Sequence, residues 1–152
     1  MTILNVLLMK HNKPTLIAID HDNYHAKHIG RKNDGVQFFL TTPFTLDCEY
    51  IALFLFDSEG NLIDSKIDSL GKRGSYDLDW KESKYQKILA SLGEVEYQRI
   101  EVKPFSIDVD GVEIGLVIME GEDEDDTFYT VDLMPGNFMS FSEPWDDGDY
   151  DT

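Results

Sequence analysis

The sequence predicts an α+β domain dominated by antiparallel β-sheet, with one principal amphipathic helix packed on it. Three observations carry that expectation. Short apolar or alternating runs fill most of the chain, Gly-, Pro-, Asn- and Asp-rich turns separate them, and one segment alone has convincing helical periodicity. The 152 residues suit a single domain spanning 1–152, and 41% hydrophobic and 12% aromatic residues are enough to build a core.

MTILNVLLMK (1–10) is apolar for too short a run to span a membrane. Without a basic leader or a small-residue cleavage site it reads as a first strand, and the protein as cytoplasmic. His11-Asn12-Lys13-Pro14 is a turn, TLIAID (15–20) a second strand, and Tyr24 to Ile29 a third. Asn33-Asp34-Gly35 then turns the chain into VQFFLTT (36–42). YIALFLFD (50–57) is almost continuously apolar, the pattern of a central strand covered on both faces. Ser58-Glu59-Gly60-Asn61 turns it back into LIDSKI (62–67).

The helical segment is DWKESKYQKILASLG, where Tyr85, Ile88, Leu89 and Leu92 recur at i, i+3, i+4 and i+7. Asp79 followed by Glu82 resembles a capping box, and Gly93 suits the left-handed position beyond the C-terminus. Lys81, Lys84 and Lys87 fall largely outside the apolar stripe, so this helix should lie on a sheet.

A long hairpin follows. Ile100 and Val102 alternate in one phase, Phe105, Ile107 and Val109 in the other, and the slip at Pro104 predicts a bulge or an edge position. Asp110-Gly111 is a preferred tight-turn pair, and Val112, Ile114, Leu116 and Ile118 share one face of the return strand. GEDEDDT (121–127) is expected to be an exposed acidic loop. FYTVDLM and NFMSF flank Pro135-Gly136, read as a type II turn.

Charge is distributed unevenly. The formal net charge is −17, and residues 104–152 carry 15 acidic residues with no Lys or Arg. Such a field disfavours nucleic acid and anionic membranes, and attracts a basic protein partner. The simpler consequence of the same charge is solubility. Cys48, the lone cysteine, excludes an internal disulfide framework and reads as structural, flanked by Asp47 and Glu49.

Little in the chain points to catalysis. His21, His25 and His28 would share a helix face and could hold zinc, but a strand over 24–29 sends His25 and His28 to opposite faces. Convergence of these histidines with carboxylates would instead favour a metal-assisted hydrolase. DSEGNLIDS, DVDGVE and DDGDYDT do not meet the EF-hand pattern, and GKRGS lacks the P-loop order. The nucleophile-elbow and dinucleotide fingerprints do not occur. The expectation is therefore a non-catalytic domain with neither cofactor nor metal.

HIGRKNDGVQFFLTTPF (28–44), YIALFLFDSEGNLIDSKIDSLGKR (50–73) and LMPGNFMSFSEPWDDGDYDT (133–152) resemble a group of small uncharacterised bacterial proteins. No activity carries over, but the resemblance implies that the last residues belong to the domain. In SEPWDDGDYDT, Trp145 is costly to leave in water, Pro144 stiffens the approach, and Gly148 permits a turn. Trp145 should dock against the sheet with Tyr150 near it, while Asp146, Asp147, Asp149 and Asp151 face outward. Phe138 and Phe141 read as core.

These aspartates, with Asp123, Glu124, Asp125 and Asp126, are the candidate partner-binding residues. The functional expectation is an acidic protein-interaction domain, an inhibitor or immunity-type protein covering a basic surface such as that of a nuclease. A small regulatory or ligand-binding module is the alternative, to be favoured by a pocket with convergent polar groups.

Overall fold

Strand β4 (Glu49–Phe56) organises the molecule because both of its faces are apolar, with all but one of its residues buried. In the computed structural model, which describes residues 12–123 and 126–152, it is the second strand of a five-stranded sheet. In that sheet β5 (Leu62–Gly71), β4, β3 (Gln37–Thr41), β2 (Ile29–Lys32) and β6 (Val95–Tyr97) lie side by side. Every pairing is antiparallel.

The pleat divides β3 and β4 between two cores. Phe38, Leu40, Ile51 and Leu53 face helix α1 (Leu78–Ala90), meeting Ile88 and Leu92, with Tyr85 and Leu89 packed beside them. Phe39, Ala52, Phe54 and Phe56 point the other way into the larger core. The helical stripe read from sequence is thus the face that meets the sheet. Its cap differs from expectation: Asp77, not Asp79, is the N-cap, accepting from the amides of Asp79 and Trp80 at 2.7 and 3.2 Å. Gly93 has φ +75°, as the C-terminal position requires.

The larger core is closed by a second, four-stranded sheet in the order β11 (Ser140–Phe141), β10 (Asp126–Met134), β9 (Val112–Asp123), β8 (Phe105–Val109). Ile114, Leu116, Val131 and Leu133 supply its inner face and are fully buried. A short pair, β1 (Ile17–Ile19) with β7 (Ile100–Val102), fills the remaining side. The arrangement is helix on sheet on sheet, and its regular structure is mostly antiparallel β-sheet.

Three expectations are corrected. Tyr24–Ile29 is not a strand: Asp22 Oδ1 accepts from the amides of Tyr24 and Ala26, which bends the chain, and β2 starts only at Ile29. Pro104 marks neither a bulge nor an edge within one hairpin. It is where the chain leaves β7, paired with β1, and enters β8, paired with β9. The acidic 121–127 segment is not a simple loop, because β9 runs to Asp123 and pairs it with Asp126 at the start of β10. The proposed strand at 1–10 lies outside the described residues.

Other readings hold. Asp110 and Gly111 adopt φ of +52° and +83°, as a type I′ hairpin demands. β5 extends past LIDSKI to Gly71. Gly136, at φ +92°, turns β10 back towards β11.

Candidate functional site

The last ten residues, 143–152, are bound into the fold from both sides. The Ala18 amide donates to the Trp145 carbonyl at 2.9 Å, and the Asp20 amide to the Gly148 carbonyl at 3.0 Å. On the other side, Ser140 and Asp151 exchange both backbone bonds, at 2.9 and 2.8 Å. The segment therefore links the β1–β7 pair to the edge of the four-stranded sheet. Trp145 and Tyr150 pack against the larger core, as their apolar surface requires. Gly148 has φ +84°, and a Cβ there would lie 2.4 Å from the Asp20 carboxyl carbon. The positive φ favours glycine here, and a Cβ would push the Asp20 carboxylate away from its Arg99 partner.

Tyr150 holds the second anchor. Its hydroxyl donates to Asp22 Oδ2 at 2.5 Å and accepts from the His25 amide at 3.1 Å. Burial alone would push the Asp22 carboxyl up, but the Tyr150 hydroxyl and the Tyr24 and Ala26 amides outweigh it and hold the group below the ordinary carboxylate range. The Tyr150 phenol is pushed up to about 12, chiefly by burial and then by that bond. Arg99 ties the strand ends together, donating to Asp20 at 3.1 Å and to the Asp146 carbonyl.

The four tail aspartates remain exposed on this fixed backbone. Asp147, Asp149 and Asp151 line a cleft of about 150 Å³ with Ser140 and Ser142. Asp149 also borders a wider groove, of about 700 Å³, together with Asp20, Asp22 and the aromatic His21, Tyr24 and Tyr150. Asp20 and Asp22 lie far from the tail in sequence, so their part in this surface was not legible there.

Comparison with family models, with curated proteins and with solved structures returns no significant match.

The acidic hairpin tip is separate from the tail. Asp132, Ser140 and Asp151 lie in one row across the sheet, whereas Asp126 is six residues further along β10, or about 20 Å away. Glu124 and Asp125 fall outside the described residues, and for Asp123 and Asp126 only the backbone pairing is described. The tail and the tip are thus two acidic regions.

The three histidines make different hydrogen bonds, and His21 and His28 both also contact the Tyr97 ring. His21 Nε2 lies 2.9 Å from the Lys27 carbonyl, and His28 Nδ1 meets the Tyr85 hydroxyl at 2.5 Å. His25 sits between Tyr24 and Phe138, with ring centroids 3.8 and 4.6 Å away. Among the described residues no three His, Cys, Asp or Glu side chains are grouped to hold a metal ion. Cys48 is free, its Sγ lying 3.0 Å from Ser69 Oγ. No described helix is long and apolar enough to cross a membrane.

A second groove lies on the other side of the Tyr24–His25 loop. It measures about 480 Å³ and is lined by Thr42, Phe44, Glu49, Arg73, Lys81, Phe138 and Thr152 beside that loop. Phe138, read from sequence as core, is only partly buried and forms part of this wall, whereas Phe141 is buried. Glu49 is buried and receives Lys81 Nζ on Oε1 at 2.9 Å, while its Oε2 has no hydrogen-bond partner.

Proposed function

We infer that the protein is a non-catalytic interaction domain whose acidic C-terminal face covers a basic surface on a partner protein. The observation that carries this reading is the contrast between the tail's backbone and its charges. The backbone is fixed by bonds to Ala18, Asp20 and Ser140, and the carboxylates of Asp146, Asp147, Asp149 and Asp151 are left in solvent. Charges held in place need little further ordering on binding, and they steer a cationic partner before contact.

The site also supplies aromatic surface beside the acids, in Tyr24 and Tyr150. That combination suits Arg and Lys side chains, whose stems pack on rings while their heads meet carboxylates. An inhibitor or immunity-type role, with this face over the basic cleft of an enzyme such as a nuclease, is the sharpest form of the reading.

The test begins with capture of partners from the native cell at low and high salt, followed by association kinetics with the purified partner. The on-rate should fall steeply as salt rises, and should be low at every salt for the D146N/D147N/D149N/D151N variant. An on-rate independent of ionic strength, or a partner whose contact surface is acidic, would exclude this mechanism.

A further inference from the structure

The second groove differs in charge from the rest of a chain whose formal net charge is −17. Lys81 and Glu49 pair with each other there at 2.9 Å, and the Arg73 guanidinium is the charged side chain of the lining outside that pair. Arg73 lies 3.7 Å above the Phe44 ring, and no ion pair among the described residues engages it. A guanidinium stacked on a ring keeps its planar fork of donors available for an oxyanion.

The aromatic surface continues from that cation. Phe138 stacks on Phe44 with centroids 6.1 Å apart and planes 11° apart. His25 follows Phe138, and Tyr24 follows His25, so four rings form one wall. Beside Phe44, directly across an antiparallel bridge, stands Glu49, whose side chain is 6% exposed and whose Oε2 is an acceptor without a donor. A buried carboxylate oxygen left unpaired is unusual enough to need an explanation, and a ligand donor is one.

We propose that this groove binds a small planar organic anion that also carries an O–H or N–H donor. Its anionic group meets Arg73, its ring lies along the Phe44–Phe138–His25–Tyr24 wall, and its donor turns toward the Glu49 carboxylate. The site adjoins the acidic face, with which it shares Tyr24 and Thr152.

The probe is 6-hydroxy-2-naphthoate, added to the full chain and followed by its fluorescence and by amide and side-chain NMR shifts. Saturable binding of one molecule is expected, with shifts centred on Tyr24, His25 and Phe138. 2-Naphthol, which lacks the anion, and inorganic phosphate, which lacks the ring, should each bind about tenfold or more weaker. Arg73→Gln should weaken the naphthoate about tenfold, the scale of one charge-assisted contact, while Lys66→Gln on the exposed side of β5 leaves it unchanged. Both positions are exposed, so both variants should fold, which circular dichroism checks. The proposal fails if the naphthoate does not saturate, if 2-naphthol binds equally well, if R73Q binds as the parent does, or if the shifts lie elsewhere.

Discussion

Gln37 is fully buried, yet all of its polar atoms are used. Its Nε2 donates to the carbonyls of Asp57 and Glu101 at 2.9 Å each, and its Oε1 accepts the Glu101 amide at 2.8 Å. The side chain thereby joins β3 to β7, across two sheets. In VQFFLTT it was legible only as a polar residue in a strand, because its partners lie 20 and 64 residues away. Gln37→Leu should cost about 2–3 kcal/mol by denaturant melts, since it strands the Glu101 amide and carbonyl, while the Asp57 carbonyl keeps the Gly60 amide. The Glu49–Lys81 pair makes a complementary case. Lys81→Met should destabilise by about 2 kcal/mol because it leaves a buried carboxylate without its cation, whereas E49L/K81M should recover most of that loss.

Among the elements, the tail decides how the molecule is closed. The docking of Trp145 was readable from the sequence, because an indole surrounded by aspartates has nowhere apolar to go except the core. What was not readable is the route: one backbone bond to β1, one to Asp20 just beyond it, and two to β11. Deleting residues 143–152 should lower stability by about 2–4 kcal/mol, the scale of truncating a packed aromatic. Gly148→Ala should reproduce much of that loss without changing charge, because its Cβ meets Asp20 at a positive φ. An unchanged melting temperature in both variants would show that the tail is not part of the core structure.

Elsewhere, elements with strong periodicity were legible and their ends were not. β4 and α1 appear where the apolar patterns lie, but the helix cap falls at Asp77 because its carboxylate reaches the free amides of the first turn. Asp77→Ala should cost about 1 kcal/mol. The 24–29 segment misled because its pattern looks extended, while Asp22 bends the backbone through side-chain bonds that no periodicity records. Likewise, the change of phase at Pro104 was visible, but not that it separates two sheets.

At the scale of the whole molecule, the charge imbalance of the final third was plain from the residues. Its division into a tail and a hairpin tip about 20 Å apart along β10 was not, since strand register sets that distance. Histidines and carboxylates also set the response to pH. Burial holds His25 and His28 below their ordinary range, so the unfolded chain takes up these protons first as pH falls below about 6.5. Stability should therefore decline from there down to the folded values. Asp22 and Asp57, both held below the ordinary 3.8, add a second loss as pH falls through their own folded values. Thermal melts from pH 8 to 3 should show both phases, and His28→Gln should reduce the first while leaving the second.

The central claim is that a structurally fixed tail presents its aspartates to a basic partner. Its most direct measurement is the association rate of that partner with the parent chain and with the D146N/D147N/D149N/D151N variant, across ionic strength, at matched thermal stability. The account predicts an unchanged melting temperature, a slower on-rate at low salt, and a much flatter salt dependence for the variant. Equal on-rates and equal salt slopes for the two proteins would contradict it.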